Sequence, residues 1–131
     1  MVLDTSALLA MLLGEPERDR FIGVLADAQD PLISAATLVE ASIVMWAKTG
    51  DGGVADLDDL LAAAGVRCVA VDSVQASLAR KAFARFGKGS SPAGLNFGDC
   101  FSYALAKATA RPLLFKGEDF SLTDVLPGST C

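Results

Sequence analysis

Met1-Val2-Leu3-Asp4-Thr5-Ser6-Ala7-Leu8-Leu9-Ala10-Met11-Leu12-Leu13-Gly14 opens the chain, and its reading decides how the rest is read. Met1-Val2-Leu3 is a short buried-strand signal. Asp4-Thr5-Ser6 is a polar turn of helix-capping side chains, and the apolar run Ala7 to Leu13 is helical until Gly14 stops it. A strand running straight into a helix is the opening of a parallel α/β arrangement.

The pattern continues outward. Pro16 fits the first turn of a second helix reaching Asp27, and Leu32-Ile33 is a second short strand. Ser34 is placed to cap a helix from Ala35 to Lys48 that Gly50 closes, and a further helix spans Val54 to Ala64. Val66 to Val71 reads as a third strand, Ser73 to Phe86 as a basic helix, and Gly87 to Pro92 as a loop. Asp99 to Ala110 is helical until Arg111-Pro112 breaks it, Leu113-Leu114-Phe115 is a fourth strand, and Val125-Leu126 is a short edge strand. Short strands without polar alternation suit burial on both faces, and helical crossovers make the sheet parallel. The expectation is a single α/β domain over residues 1–131, with a short-stranded parallel sheet in a three-layer α/β/α sandwich. Ligands of such sheets bind outside the carboxyl ends of the strands, which directs attention to the residues after Leu3, Ile33, Val71 and Phe115.

Composition narrows the chemistry. The chain has 131 residues, 52% hydrophobic and 21% charged, with a mean hydropathy of +0.43, so there is ample material for a core. It contains no histidine, which excludes imidazole bases, His-bearing metal sites and Ser-His-Asp or Cys-His nucleophile systems. Cys68, Cys100 and Cys131 are odd in number, distant in sequence and without C-x-x-C spacing, as expected of a reduced, cytoplasmic chain. Ala7 to Leu13 is too short to span a bilayer and lacks a basic leader, so neither a membrane segment nor a signal peptide is expected.

The formal charge of -5 is unevenly spread. Residues 1–79 are strongly acidic, whereas residues 80–116 carry Arg80, Lys81, Arg85, Lys88, Lys107, Arg111 and Lys116 against Asp99 alone. Lys81, Arg85 and Lys88, at i, i+4 and i+7, share one face of the basic helix and are candidates to guide a polyanion; a plain solvated face is the other reading.

Four acids stand outside the ordinary polar stretches. Asp4 closes the first strand, Glu40 interrupts an otherwise apolar helix beside Ala36, Ile43, Val44 and Ala47, Asp99 starts an apolar helix, and Asp119 follows the fourth strand. Taken singly, Asp4 and Asp99 read equally as helix caps and Asp119 as a turn residue. Glu40 is costly to bury without a cation. Four clustered carboxylates repel one another unless a cation lies among them, and oxygen-only ligation selects Mg²⁺ or Mn²⁺, chemistry that needs no histidine. No G-x-G-x-x-G follows a strand, and the Gly87-Lys88-Gly89-Ser90 stretch departs from a phosphate-binding loop at Ala82 and Gly89.

With these residues in view, the chain resembles the PIN-domain ribonucleases, specifically the VapC-type toxins of toxin–antitoxin pairs. The resemblance covers essentially the whole chain. It rests on Met1 to Ala7, on Ser34-Ala35-Ala36-Thr37-Leu38-Val39-Glu40, on Leu95-Asn96-Phe97-Gly98-Asp99-Cys100-Phe101 and on Leu114 to Phe120. It implies that Asp4, Glu40 and Asp99 are catalytic metal ligands with Asp119 as fourth acid, and that Thr5, Ser6 and Asn96 are supporting polar groups. Many relatives carry the fourth acid three residues before the Phe, where this chain has Gly117; the nearest carboxylates here are Glu118 and Asp119, and Asp119 is favoured. The resemblance further implies a Mg²⁺- or Mn²⁺-dependent endoribonuclease that acts on tRNA or rRNA and inhibits translation, forms a homodimer and is neutralised by a VapB-type antitoxin. Two rivals stand beside it: a catalytically weak PIN-fold module that binds RNA or a partner, and a flap nuclease or phosphatase using the same acids.

Overall fold

The computed structural model describes residues 1–128; Cys131 lies outside them. Four strands, β1 (Val2–Leu3), β2 (Leu32–Ser34), β3 (Arg67–Val69) and β4 (Leu113–Leu114), form one sheet in the order β3-β2-β1-β4. Every pairing is parallel, with Val2 opposite both Leu32 and Leu113 and Leu3 opposite Leu114.

Helices cover both faces. α1 (Thr5–Leu12), α2 (Arg18–Asp27) and α3 (Ala35–Ala63) lie on one side, α4 (Ser73–Phe86) and α5 (Phe97–Thr109) on the other. The pleat sorts the strand residues between them, because successive side chains point to opposite faces. Val2, Leu32 and Leu113 pack with Phe86, Tyr103 and Leu105. Leu3, Ile33 and Leu114 pack with Leu8, Met11, Phe21, Leu25 and Leu57. The expected three-layer α/β/α sandwich is therefore the observed one.

Three expectations change in detail. The third strand is an exposed edge, with Arg67 and Cys68 open to solvent, rather than a strand buried on both faces. The two helices expected on either side of Gly50 are both present, but they follow one another directly as the halves of α3, with no loop between them beyond the kink at Gly50 itself (φ 70, ψ -157), a conformation that only glycine adopts without strain. Val125-Leu126 forms no strand of its own; a single parallel bridge joins Leu113 to Pro127 beyond it.

The chain winds outward from β1 to β2 to β3, then returns through α4 and α5 to place β4 on the other side of β1. The reversal leaves a crevice at the carboxyl end of β1, the place where open α/β sheets bind ligands. Asp4 stands there.

Candidate functional site

Asp4 is 2% exposed and is built in from three directions. Its Oδ2 caps α1 by accepting from the Ser6 amide at 3.0 Å and the Ser6 hydroxyl at 2.6 Å. Its Oδ1 accepts from the Ser102 hydroxyl of α5 at 2.6 Å. The Ser6 hydroxyl in turn accepts from the backbone N–H of Lys116 at 2.9 Å, which ties the segment after β4 to Asp4. The cap reading thus holds for this carboxylate, whose other oxygen is held from α5 rather than from the helix it caps.

Asp99 is likewise a capping residue. It forms a capping box with Asn96: the Asp99 amide donates to Asn96 Oδ1 at 2.9 Å, and the Asn96 amide donates to Asp99 Oδ2 at 3.0 Å. The helix therefore starts at Phe97, two residues before the expected Asp99. Burial pushes the Asp99 carboxyl up to about 6, and the negative charges of Asp4, Glu40 and Asp119 push it the same way, against the lowering effect of the Asn96 amide. The four acids singled out in the sequence thus lie within electrostatic reach of one another.

Glu40 rises from α3 and accepts a short hydrogen bond from the Thr5 hydroxyl. Its helix differs from expectation. Ile43, on the Glu40 side, is 57% exposed and Val39 is 58% exposed, so the surrounding apolar face is open rather than buried. The carboxylate is half-buried and compensated by a hydroxyl rather than by a cationic side chain. Gly98 makes room for it, because a Cβ at that position would collide with the Glu40 carboxylate. Asp119 is exposed and precedes a 3₁₀ turn, Phe120–Leu122, whose buried Phe120 packs on Phe115 with ring centroids 5.3 Å apart. Glu118 is also exposed.

Sequence reasoning missed two residues. Ser102 and Thr37 are 0% and 1% exposed, and their hydroxyl oxygens lie 3.1 Å apart. A hydroxyl in a helix gives no sequence signal of what it faces. The one available sign was spacing, since Thr37 stands three residues before Glu40 and Ser102 three after Asp99.

The basic stretch is largely neutralised within the fold. Arg85 and Lys107 pair with Asp124 at 3.5 and 3.2 Å, Arg111 with Asp30 at 3.0 Å, and Lys116 with Glu15 and Glu17 at 3.3 Å each. Lys88 does not share the helix face of Lys81 and Arg85: α4 ends at Phe86, Gly87 terminates it in extended backbone, and Lys88 lies in the loop beyond. Lys81 remains exposed on α4, as does Arg80.

The donor set is carboxylate and hydroxyl oxygen, which fits a hard divalent cation, and the mutual repulsion around Asp99 is the kind that such a cation relieves. Among the described residues, no three acidic side chains converge closely enough to form a ready-made cage; each of Asp4, Glu40 and Asp99 accepts instead from a neighbouring hydroxyl or amide.

The chain, with its parallel β3-β2-β1-β4 sheet and Asp4 at the carboxyl end of the first strand, is matched by the PIN domain family over residues 1–126 and belongs to that family. Within it, the chain is of the VapC ribonuclease type. It is 52% identical over 125 residues to Ribonuclease VapC of Mycolicibacterium smegmatis, covering 95% of this chain and 97% of that one. It is 50% identical over 125 residues to Ribonuclease VapC30 of Mycobacterium tuberculosis, covering 95% of each. The crystal structure of Mycobacterium tuberculosis VapC20, described as a sarcin-ricin loop cleaving toxin, superposes with a TM-score of 0.78 over 95% of both chains at 16% identity, which speaks to the fold.

Proposed function

We propose that this chain is the toxin of a type II toxin–antitoxin pair, an endoribonuclease dependent on Mg²⁺ or Mn²⁺ that hydrolyses RNA phosphodiester bonds and so inhibits translation. The observation that carries the reading is the convergence of charge on Asp99, whose carboxyl is held up to about 6 by burial and by Asp4, Glu40 and Asp119. In this reading Asp4, Glu40, Asp99 and Asp119 are the catalytic acids and hold the cation. A divalent ion held there would supply a more acidic bound water and a positive charge to offset the negative charge developing on the phosphate. The chain's own contribution is placement. Thr5 orients Glu40, Ser6 orients Asp4, and Asn96 fixes the start of the helix that bears Asp99. Asp4 itself is withdrawn from water, which strengthens the charge interactions it makes. Lys81 and Lys88 carry exposed charge toward an RNA backbone, whereas Arg85 is committed to Asp124. tRNA and rRNA are the expected substrates, the cytoplasm the expected compartment, and a VapB-type antitoxin the expected inhibitor. No helix among the described residues is long and apolar enough to cross a membrane.

The test is cleavage of total RNA by the purified chain. Mg²⁺-dependent scission that EDTA abolishes supports the reading, and Asp4→Asn should lower the rate at least about a hundredfold while the fold persists, since metal-assisted charge stabilisation contributes several kcal/mol. Binding of RNA without any scission in Mg²⁺ or Mn²⁺ would establish the weak binding module instead. Preferential hydrolysis of DNA flaps or of nitrophenyl phosphate would establish the nuclease or phosphatase alternative.

A further inference from the structure

Asp4 has two carboxylate oxygens and about four lone-pair positions to offer. Both positions of Oδ2 are taken, by the amide and the hydroxyl of Ser6. One position of Oδ1 is taken by Ser102. A single lone pair on Oδ1 is therefore uncommitted.

The direction of the Thr37–Ser102 contact follows from counting protons. Ser102 has one hydroxyl proton, and at 2.6 Å from Asp4 Oδ1 it is donated to an acceptor-only carboxylate. At the 3.1 Å contact, then, Thr37 must donate and Ser102 accept. The result is a directed relay from α3 through α5 to Asp4, fully enclosed by the core, where a buried hydroxyl has no water as substitute partner. Thr37 lies one helical turn before Glu40 on α3, and Ser102 one turn after Asp99 on α5. The relay thus sets Asp4 against the two helices that bear Glu40 and Asp99.

We propose that Ser102, held from behind by Thr37, is a positioning residue that fixes the rotation of the Asp4 carboxylate and leaves the free lone pair of Oδ1 to the divalent cation. This rests on the metal-dependent reading above.

The test is Mn²⁺ titration of the purified chain without RNA, by calorimetry and electron paramagnetic resonance, with thermal melts in EDTA. Ser102→Ala is expected to weaken Mn²⁺ binding about tenfold or more, the usual loss when a group orienting a metal ligand is removed. Thr37→Val, of nearly the same shape, is expected to weaken it in the same direction and to add nothing in a Ser102→Ala background. In an Asp4→Asn background, Ser102→Ala should cost no further affinity. A purely structural role predicts a lower melting temperature with Mn²⁺ affinity unmoved, and that result overturns the proposal. If Ser102→Ala does not fold, Thr37→Val carries the same test with the same two outcomes. Wild-type protein that takes up no Mn²⁺ overturns the metal reading and this inference together; wild-type binding with unmoved variants overturns the inference alone.

Discussion

Asp99 holds a helix cap and a site charge on one carboxyl group, and the two uses pull its protonation in opposite directions. The Asn96 amide favours the ionised form, while burial and three neighbouring acids favour the neutral one and prevail, giving a value of about 6 against 3.8 for the free side chain. An acid whose folded value is raised contributes stability that is fully present below its unfolded value and is lost as pH rises through the folded one. Metal-free protein is therefore expected to melt at a lower temperature near pH 7.5 than near pH 5 by an increment that Asp99→Asn removes. Added Mg²⁺ should restore the loss in wild type but not in the variant. Parallel melts in EDTA and in Mg²⁺ check this, and an identical pH profile for the two proteins would refute it. The choice of fourth acid is tested at the same scale. Asp119 bears on Asp99 electrostatically and directly precedes the anchored Phe120. Asp119→Asn should thus weaken Mg²⁺ binding and activity well beyond Glu118→Gln in calorimetric titrations, and a larger loss for Glu118→Gln would reverse the assignment.

At the scale of elements, α4 alters the expected path of RNA. Three basic residues spaced i, i+4 and i+7 looked like one face, yet Gly87 ends the helix before Lys88 and Asp124 occupies Arg85. Lys81→Ala is accordingly expected to lower the slope of log K against log salt for RNA binding by about 1, while Arg85→Ala leaves it nearly unchanged. Equal slopes in wild type and Lys81→Ala would make α4 a solvated face. The positions of the four sheet strands, the caps at Asp4 and Ser34, and the exact span of α4 were legible in the sequence because caps, glycine stops and apolar runs act locally; the expected edge strand at Val125-Leu126 did not form. What α3 faces was not, because Val39 and Ile43 look alike whether covered or bare. Nor were the hydroxyls of Thr37 and Ser102, whose meaning depends on an α3–α5 contact between residues far apart in the chain.

For the molecule as a whole, the open apolar surface on α3 and at the start of α5 is the conspicuous feature. Ile43 and Phe97 are 57% and 78% exposed, and Phe97 meets Phe101 edge-on with ring centroids 4.9 Å apart. Contiguous apolar surface of this kind usually marks an association site. The homodimer expected from the family resemblance would cover it, and Ile43→Glu should then convert a dimer to a monomer in sedimentation velocity with the melting curve still cooperative. A wild-type chain that sediments as a monomer at micromolar concentration would remove the dimer from the account.

The winding of the sheet also bears on when the protein becomes dangerous to its own cell. β1 is made first, yet one of its two partners, β4, is the last strand made, and the Lys116 amide that braces Ser6 follows directly after it. Chains emerge from the ribosome N-terminal end first. A nascent chain therefore displays Asp4 early, with one flank of its strand bare and the fourth acid not yet made. Joining the two ends closes a very long loop, which is intrinsically slow. A truncated product lacks this closure, and chains ending before Asp119 are accordingly expected to be harmless when expressed.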